Sequence, residues 1–335
     1  MGDRAHELTD EEIDRIKRHL MAVYRRAERA AAATLKKYAD SIKGRSDELL
    51  RAIDEAETEA EKKAAKNAYK RFYSVDVKSD ARFKKASGIV AETLYKANTE
   101  AAAYINARTA HVYTVNYNQI GNGLKRDLSG YDFKAVTESD AEKYGRISRQ
   151  TVDKKKDTKW NERNVWRSVL TGALLLYGVS KIFYSAARKT AKKNLDSAHR
   201  QASDMMTDAE NKGRLDSMYR AYDEGFTVKK YWIATLDNRT RDTHIMYDGM
   251  DPVELDYEYA PGLKKPKDPD CSIMEEVCNC RCRILYDTGR GKSATRTARE
   301  GEVTGSYKKP SSFEDTQTIS VAQMTYEEWM KWRSR

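Results

Sequence analysis

At 335 residues, with 34% charged and 39% hydrophobic side chains, the chain is long enough for about two domains and for cores that need no disulfide staples. Its formal net charge of +10 favours a polyanionic partner through general attraction, and equally fits solvated helix faces. The opening MGDRAHELTDEEIDRIKRHL has no apolar run of signal-peptide type, and the most apolar window, 169–184, is interrupted by Gly172, Gly178 and Lys181, so neither a cleaved leader nor a membrane helix of ~20 residues is expected.

The first 150 residues read as a helical region. Thr9 with Glu12 has the spacing of a capping box, and Ile13, Ile16, Leu20, Val23 and Ala27 then recur at helical steps. A second helix is expected from Asp47 to Tyr73 on a thin apolar stripe, and a third from Ser79, ending in the turns of Tyr113 and Tyr117. Gly121, Gly123 and Gly130 predict a break after it. Residues 151–225 form a basic helical region, with helices expected over 166–193 and 195–222. Residues 151–200 hold eight Lys and four Arg against three Asp and one Glu, a net of +8. Lys154, Lys155, Lys156, Lys159, Arg163, Arg167, Lys189, Lys192 and Lys193 are therefore the candidate DNA-binding residues, with Trp160 and Trp166 interleaved.

After Gly225 the character changes to a compact module over 226–290. Residues 228–236 and 277–286 are short, β-branched and alternating, as paired strands should be. Between them, Pro252, Pro261, Pro266 and Pro269 mark a loop expected to wrap one sheet edge. The fold class is α+β: a long, mainly α-helical N-terminal part followed by a small mixed module with a His/Cys cluster. Residues 291–335 read as a Gly/Ser/Thr-rich flexible arm closed by a helix carrying Trp329 and Trp332, an anchor for its own domain or for a partner's groove.

All four cysteines fall within twelve residues, Cys271, Cys278, Cys280 and Cys282, with His244 upstream. In a cytosol, such clustering points to metal rather than disulfide. In a regular strand, cysteines two apart would lie about 6.5–7 Å apart on one face. Sulfurs on one tetrahedral zinc lie closer to ~3.8 Å, so a bulge or bend is required. The expected set is a structural zinc on Cys280, Cys282 and His244, with a fourth group from Cys271, Cys278 or Asp248. His244 with its neighbouring carboxylates also permits a metal-dependent hydrolase or nuclease. No Gly-rich phosphate loop, nucleophile elbow or HExxH occurs in the chain, which favours the structural reading.

The run KKYWIATLDNRTRDTHIMYDGM, the Pro-rich loop and NCRCRILY together resemble the C-terminal domain of phage minor head proteins of the Mu F type, the phage head-morphogenesis family. The matching positions are Trp232, Asp237, Arg239, Thr240, Asp242, His244, Asp248, Gly249, Asn279, Cys280, Arg281 and Cys282. The likeness covers roughly residues 165–335, and Cys271 and Cys278 depart from the pattern. It implies a non-enzymatic minor structural protein of a tailed-phage head, bound to the portal protein and in some members to packaged double-stranded DNA. It further implies a place in the virion, at the head interior or portal, after assembly in the host cytoplasm; some relatives are ejected with the genome. A plain DNA-binding protein is the further alternative.

Overall fold

The computed structural model describes residues 3–143, 149–236, 240–290, 296–299, 318–321 and 326–333. The chain divides into two compact units, one of residues 1–17, 104–149 and 200–335, the other of residues 18–103 and 150–199. The expected α+β class is observed: long helices make up the N-terminal part, and the strands and the His/Cys cluster lie in the C-terminal part.

The helices differ from the sequence expectation in their boundaries. Helix α1 runs unbroken over Arg4–Asp54. Thr9 does not cap it; its Oγ1 donates to the Ala5 carbonyl at 2.9 Å, one turn back inside the helix. The break falls instead at residues 55–58, where Thr58 and Glu61 form a reciprocal capping box that starts α2, Glu59–Arg71. A π-helical turn, Phe72–Val77, leads into α3, Ala81–Asp127. Gly121 and Gly123 do not end α3. A Cβ on Gly121 would lie 2.0 Å from the Phe133 ring, and one on Gly123 would lie 2.4 Å from Tyr286 Oη, so these glycines admit close neighbours from within a helix.

Helix α4, Glu138–Lys143, is short. Helix α5, Lys154–Leu174, opens with Asp153 accepting from the Lys156 backbone N–H at 3.0 Å. It stops where Leu176 turns left-handed at φ 53°, and α6 then spans Val179–Asp223. The apolar window 169–184, expected to lie within one helix over 166–193, is thus the end of one helix and the start of another. No described helix is long and apolar enough to cross a membrane.

In the unit of residues 18–103 and 150–199, Leu35, Val90, Leu94, Val165, Val169 and Ile182 are buried, and Tyr38, Phe83 and Phe183 pack edge to face or tilted. Beside this core, Asn98 donates to Asp157 at 3.0 Å and to Asn194 at 2.7 Å, and Tyr24 donates to Asn98 at 2.6 Å.

In the other unit, α6 passes α3 so closely that a Cβ on Gly213 would lie 2.4 Å from the Tyr113 carbonyl oxygen. The sheet order is β2-β1-β3, from Val253–Glu254, Lys229–Ile233 and Arg283–Asp287, with both pairings antiparallel. The expected pairing of the two strand segments is therefore present. The Pro-rich loop is tied to the sheet by Lys230, whose buried Nζ donates to the carbonyls of Leu255, Tyr257 and Lys264 at 2.6, 2.8 and 2.7 Å. Burial pushes this ammonium down to about 7.

Inside the arm, β4, Arg296–Arg299, pairs antiparallel with β5, Thr318–Val321. The closing helix α9, Tyr326–Arg333, docks on its own module: Trp329 is fully buried with Tyr326 and Leu236, and Ile245 packs against them. Trp329 is thus a core residue rather than a free partner anchor. The Trp332 side chain lies outside the described residues.

Candidate metal centre

The segment expected to be one strand, 277–286, is built in three parts. A short helix, α8, covers Met274–Val277, an irregular stretch carries Cys278 to Cys282, and β3 begins only at Arg283. Between the cysteines, Asn279 adopts a left-handed φ of 54°. Asn tolerates this conformation better than most residues, because its short amide bonds locally. The bend that the thiol spacing demanded is therefore present, and it frees Cys280 and Cys282 from strand geometry.

Helix α7, Asp242–Gly249, supplies the third donor. His244, Cys280 and Cys282 are all buried, and their donor atoms lie within 4.8 Å of one another. His244 Nδ1 stands 3.7 Å from Cys280 Sγ and 3.4 Å from Cys282 Sγ. Bonds of ~2.3 Å to sulfur and ~2.05 Å to nitrogen at tetrahedral angles place such atoms about 3.5 Å apart. The two nitrogen–sulfur distances are of this size, and the cluster could hold a metal ion. The thiols are also polarised against each other. Burial pushes the Cys280 thiol well above its ordinary value, and Cys282 beside it adds to the rise. Burial would raise Cys282 too, but hydrogen bonds from Cys280 and His244 outweigh it and hold that thiol well below its ordinary value.

The surroundings fix the imidazole. Trp232 meets the His244 ring at 5.1 Å and 62°, edge to face, and is itself packed against Tyr247 and Tyr259. On the far side of the ring, His244 Nε2 lies 3.0 Å from a Glu276 carboxylate oxygen, close in distance though not aligned as a hydrogen bond. Thr243 Oγ1 lies 3.1 Å from both oxygens of that carboxylate. A carboxylate on the outer ring nitrogen is the usual device for presenting the other nitrogen to a metal.

The remaining candidates stand elsewhere. Asp248 is fully used as a clamp: one oxygen accepts from the Ala234 N–H at 3.0 Å and the other from the Tyr326 N–H at 3.2 Å. Cys278 is exposed, and half-buried Cys271 directs its Sγ to the Ile273 carbonyl at 3.5 Å. Neither thiol is in the three-residue group. Asp237 and Arg239 lie outside the described residues. Thr240 donates to the Thr235 carbonyl, Arg241 donates to the Cys278 carbonyl, and Thr235 donates to the Arg281 carbonyl at 2.8 Å, so both flanks of the donor segment are held.

A buried charged network braces β3 from behind. Arg214 of α6 forms a two-pronged pair with Asp3 at 2.9 Å on both oxygens, reaches Glu210 at 2.8 Å, and donates from Nε to Asn116. Glu210 meets His6 at 2.9 Å, and Arg283 of β3 meets Asp3 at 2.9 Å. One turn earlier, Asn211 donates to the Cys282 carbonyl at 3.1 Å and accepts from the Ile284 N–H at 2.9 Å. Burial would raise Asp3, but Arg214 and Arg283 hold its carboxyl well below the usual range. None of Asp3, Glu210, Asn211, Arg214 or Glu276 carries a local signal that would have singled it out in sequence.

The nine candidate DNA-binding residues are all exposed, on α5 and α6. Lys154 pairs with Glu92 at 3.2 Å and Lys193 donates to Asn164 at 2.9 Å. Trp160 is 40% exposed, and Trp166 is half-buried against Phe83.

No protein-family model matches the sequence, and no solved structure matches it. A curated protein of Enterococcus faecalis (strain ATCC 700802 / V583), NAD(+)–arginine ADP-ribosyltransferase EFV, is 28% identical over 128 residues, 37% of this chain and 25% of that protein. The chain thus spans about a quarter of the length of the curated relative it matches. This finding corrects the expected function. A protein that shares sequence with part of the chain is named as an enzyme, and as a transferase, which speaks against a non-enzymatic minor head protein and equally against the hydrolase, nuclease and plain DNA-binding alternatives.

Proposed function

We propose that this chain carries a structural zinc module, held by His244, Cys280 and Cys282, and that NAD(+)-dependent ADP-ribosyl transfer to arginine is the activity to seek in it. The observation that carries the zinc is the donor set: two thiols and an imidazole, buried and spaced as one tetrahedral ion requires. The ion would join α7 to the bend ahead of β3, supplying a cross-link where the module has only short elements. Burial of all three donors favours this fastening role over metal chemistry on a substrate. Elemental analysis of the purified chain is expected to give one zinc per chain, lost in Cys282→Ser. Metal-free wild-type protein with an unchanged melting temperature would overturn it.

Support for the transfer chemistry comes from the stretch shared with the arginine ADP-ribosyltransferase. In that reaction the bond between ribose and nicotinamide breaks, an arginine nitrogen takes the ribose carbon, and nicotinamide and a proton leave. Incubation of the full chain with adenine-labelled NAD(+) and an arginine-rich acceptor is expected to label the acceptor above a heat-treated control. No label from zinc-loaded protein would sink the transfer reading and leave the zinc reading standing. We propose the Mu F-type resemblance for the module alone, supported by Trp232 against His244 and by the Asp248 clamp.

A further inference from the structure

The unit of residues 18–103 and 150–199 holds a cleft of about 510 Å³ between the start of α3 and the face of α5, remote in sequence from the cysteines. Lys78, Phe83, Lys84 and Ser87 line one side, and Lys159, Glu162, Arg163 and Trp166 the other. The α5 positions recur at three- and four-residue steps, so one helix face supplies that entire wall. Four cations therefore converge on one concavity with a single carboxylate among them.

We propose that this cleft binds a nucleotide through its phosphate. Lys84, Lys159 and Arg163 are exposed and form no ion pair among the described residues, so they are available to an incoming anion. Other surface cations of this chain sit beside a carboxylate of a neighbouring turn, as Lys36 does with Asp40 at 2.7 Å and Arg45 with Glu48 at 2.8 Å. Here the neighbours are aromatic instead. Lys78 Nζ lies 5.5 Å from the Trp166 ring centroid, and Phe83 meets that ring edge-on at 6.0 Å. Phe83 thereby props a half-buried indole whose remaining surface borders the cleft. The part of the ring that lines the cleft offers a base an apolar contact while Lys84, Lys159 and Arg163 take the phosphate. Glu162 then has a role, as acceptor for a base N–H or a ribose hydroxyl. The volume lies within the range of small-ligand pockets and suits one nucleotide unit, either free or as part of a single strand.

The test is calorimetric titration of the full chain with metal-free adenosine triphosphate, with a short oligodeoxythymidine strand, and with inorganic phosphate. Binding of the triphosphate identifies a free nucleotide as ligand, and binding of the strand alone identifies strand phosphates as the source; both support the site. The double variant Lys84→Ala/Arg163→Ala is expected to weaken binding on the order of tenfold or more. The control Arg25→Ala/Arg29→Ala removes equal charge from exposed positions of α1 in the same unit, outside the cleft, and should stay within about twofold. All four side chains are exposed, so the fold should survive both changes, as circular dichroism would verify. Three results would overturn the proposal: neither nucleotide binds, the two double variants weaken binding equally, or inorganic phosphate binds as tightly as the nucleotides.

Discussion

Each of the two units buries a network of polar side chains, and the two networks are made of different chemistry. In one, Asp3, His6, Glu210, Arg214 and Arg283 bring full charges together. In the other, Asn98, Asn161 and Asn194 are joined mostly through amides, with Asp157 as the single carboxylate. Charges pull over longer distances and hold direction firmly, but each is costly to leave alone in a core. Amides give less and lose less. The charged network lies where an irregular, bent segment must be held still beside a strand. The amide network lies between long helices whose own hydrogen bonds already fix the backbone.

This contrast can be broken by mutation. The largest expected effect is from Arg214→Ala, which strands Asp3 and Glu210 and should cost about 3–5 kcal/mol of unfolding free energy in urea titration. Asn98→Ala in the amide network should cost less, about 1–3 kcal/mol. Equal losses would erase the distinction. Thr243→Val, which releases Glu276 behind His244, should weaken zinc binding on the order of tenfold in a chelator competition while the apo fold melts unchanged.

The smallest expected effect is the response to acid. Asp3 has its folded value below the ordinary 3.8, so its contribution is present above 3.8 and is lost as the pH falls below it. Asp157 has the opposite sign. Burial raises it, despite hydrogen bonds from Asn98 and Asn161, so protonation on the way down stabilises the folded form. Asp157→Asn should therefore make the acid loss of stability steeper than in wild type, read from urea midpoints between neutral pH and pH 3. An unchanged slope would mean that Asp157 titrates alike in both states.

The donors were legible because their chemistry is concentrated: four thiols in twelve residues and one nearby histidine leave few combinations. The need for a bend followed from the step of a strand, and Asn279 provides it. The bracing was illegible, since Asp3 and Arg214 are 211 residues apart and ordinary in their local context. Helix boundaries are not legible locally either. Thr9 has the spacing of a cap yet sits in the second turn of α1, and Gly121 and Gly123 suggest a break yet are there for the rings that press on them. In both cases tertiary contact overrode a local preference, which no window of sequence contains.

The passage of α6 over α3 at Gly213 has a consequence for how this protein tolerates change. The 2.4 Å clearance to the Tyr113 carbonyl leaves room for a hydrogen and nothing larger. In a randomised library under selection for folding, position 213 should retain one allele while half-buried Lys212 beside it drifts freely. The spacing of two helices would then be inherited more strictly than the charge next to it.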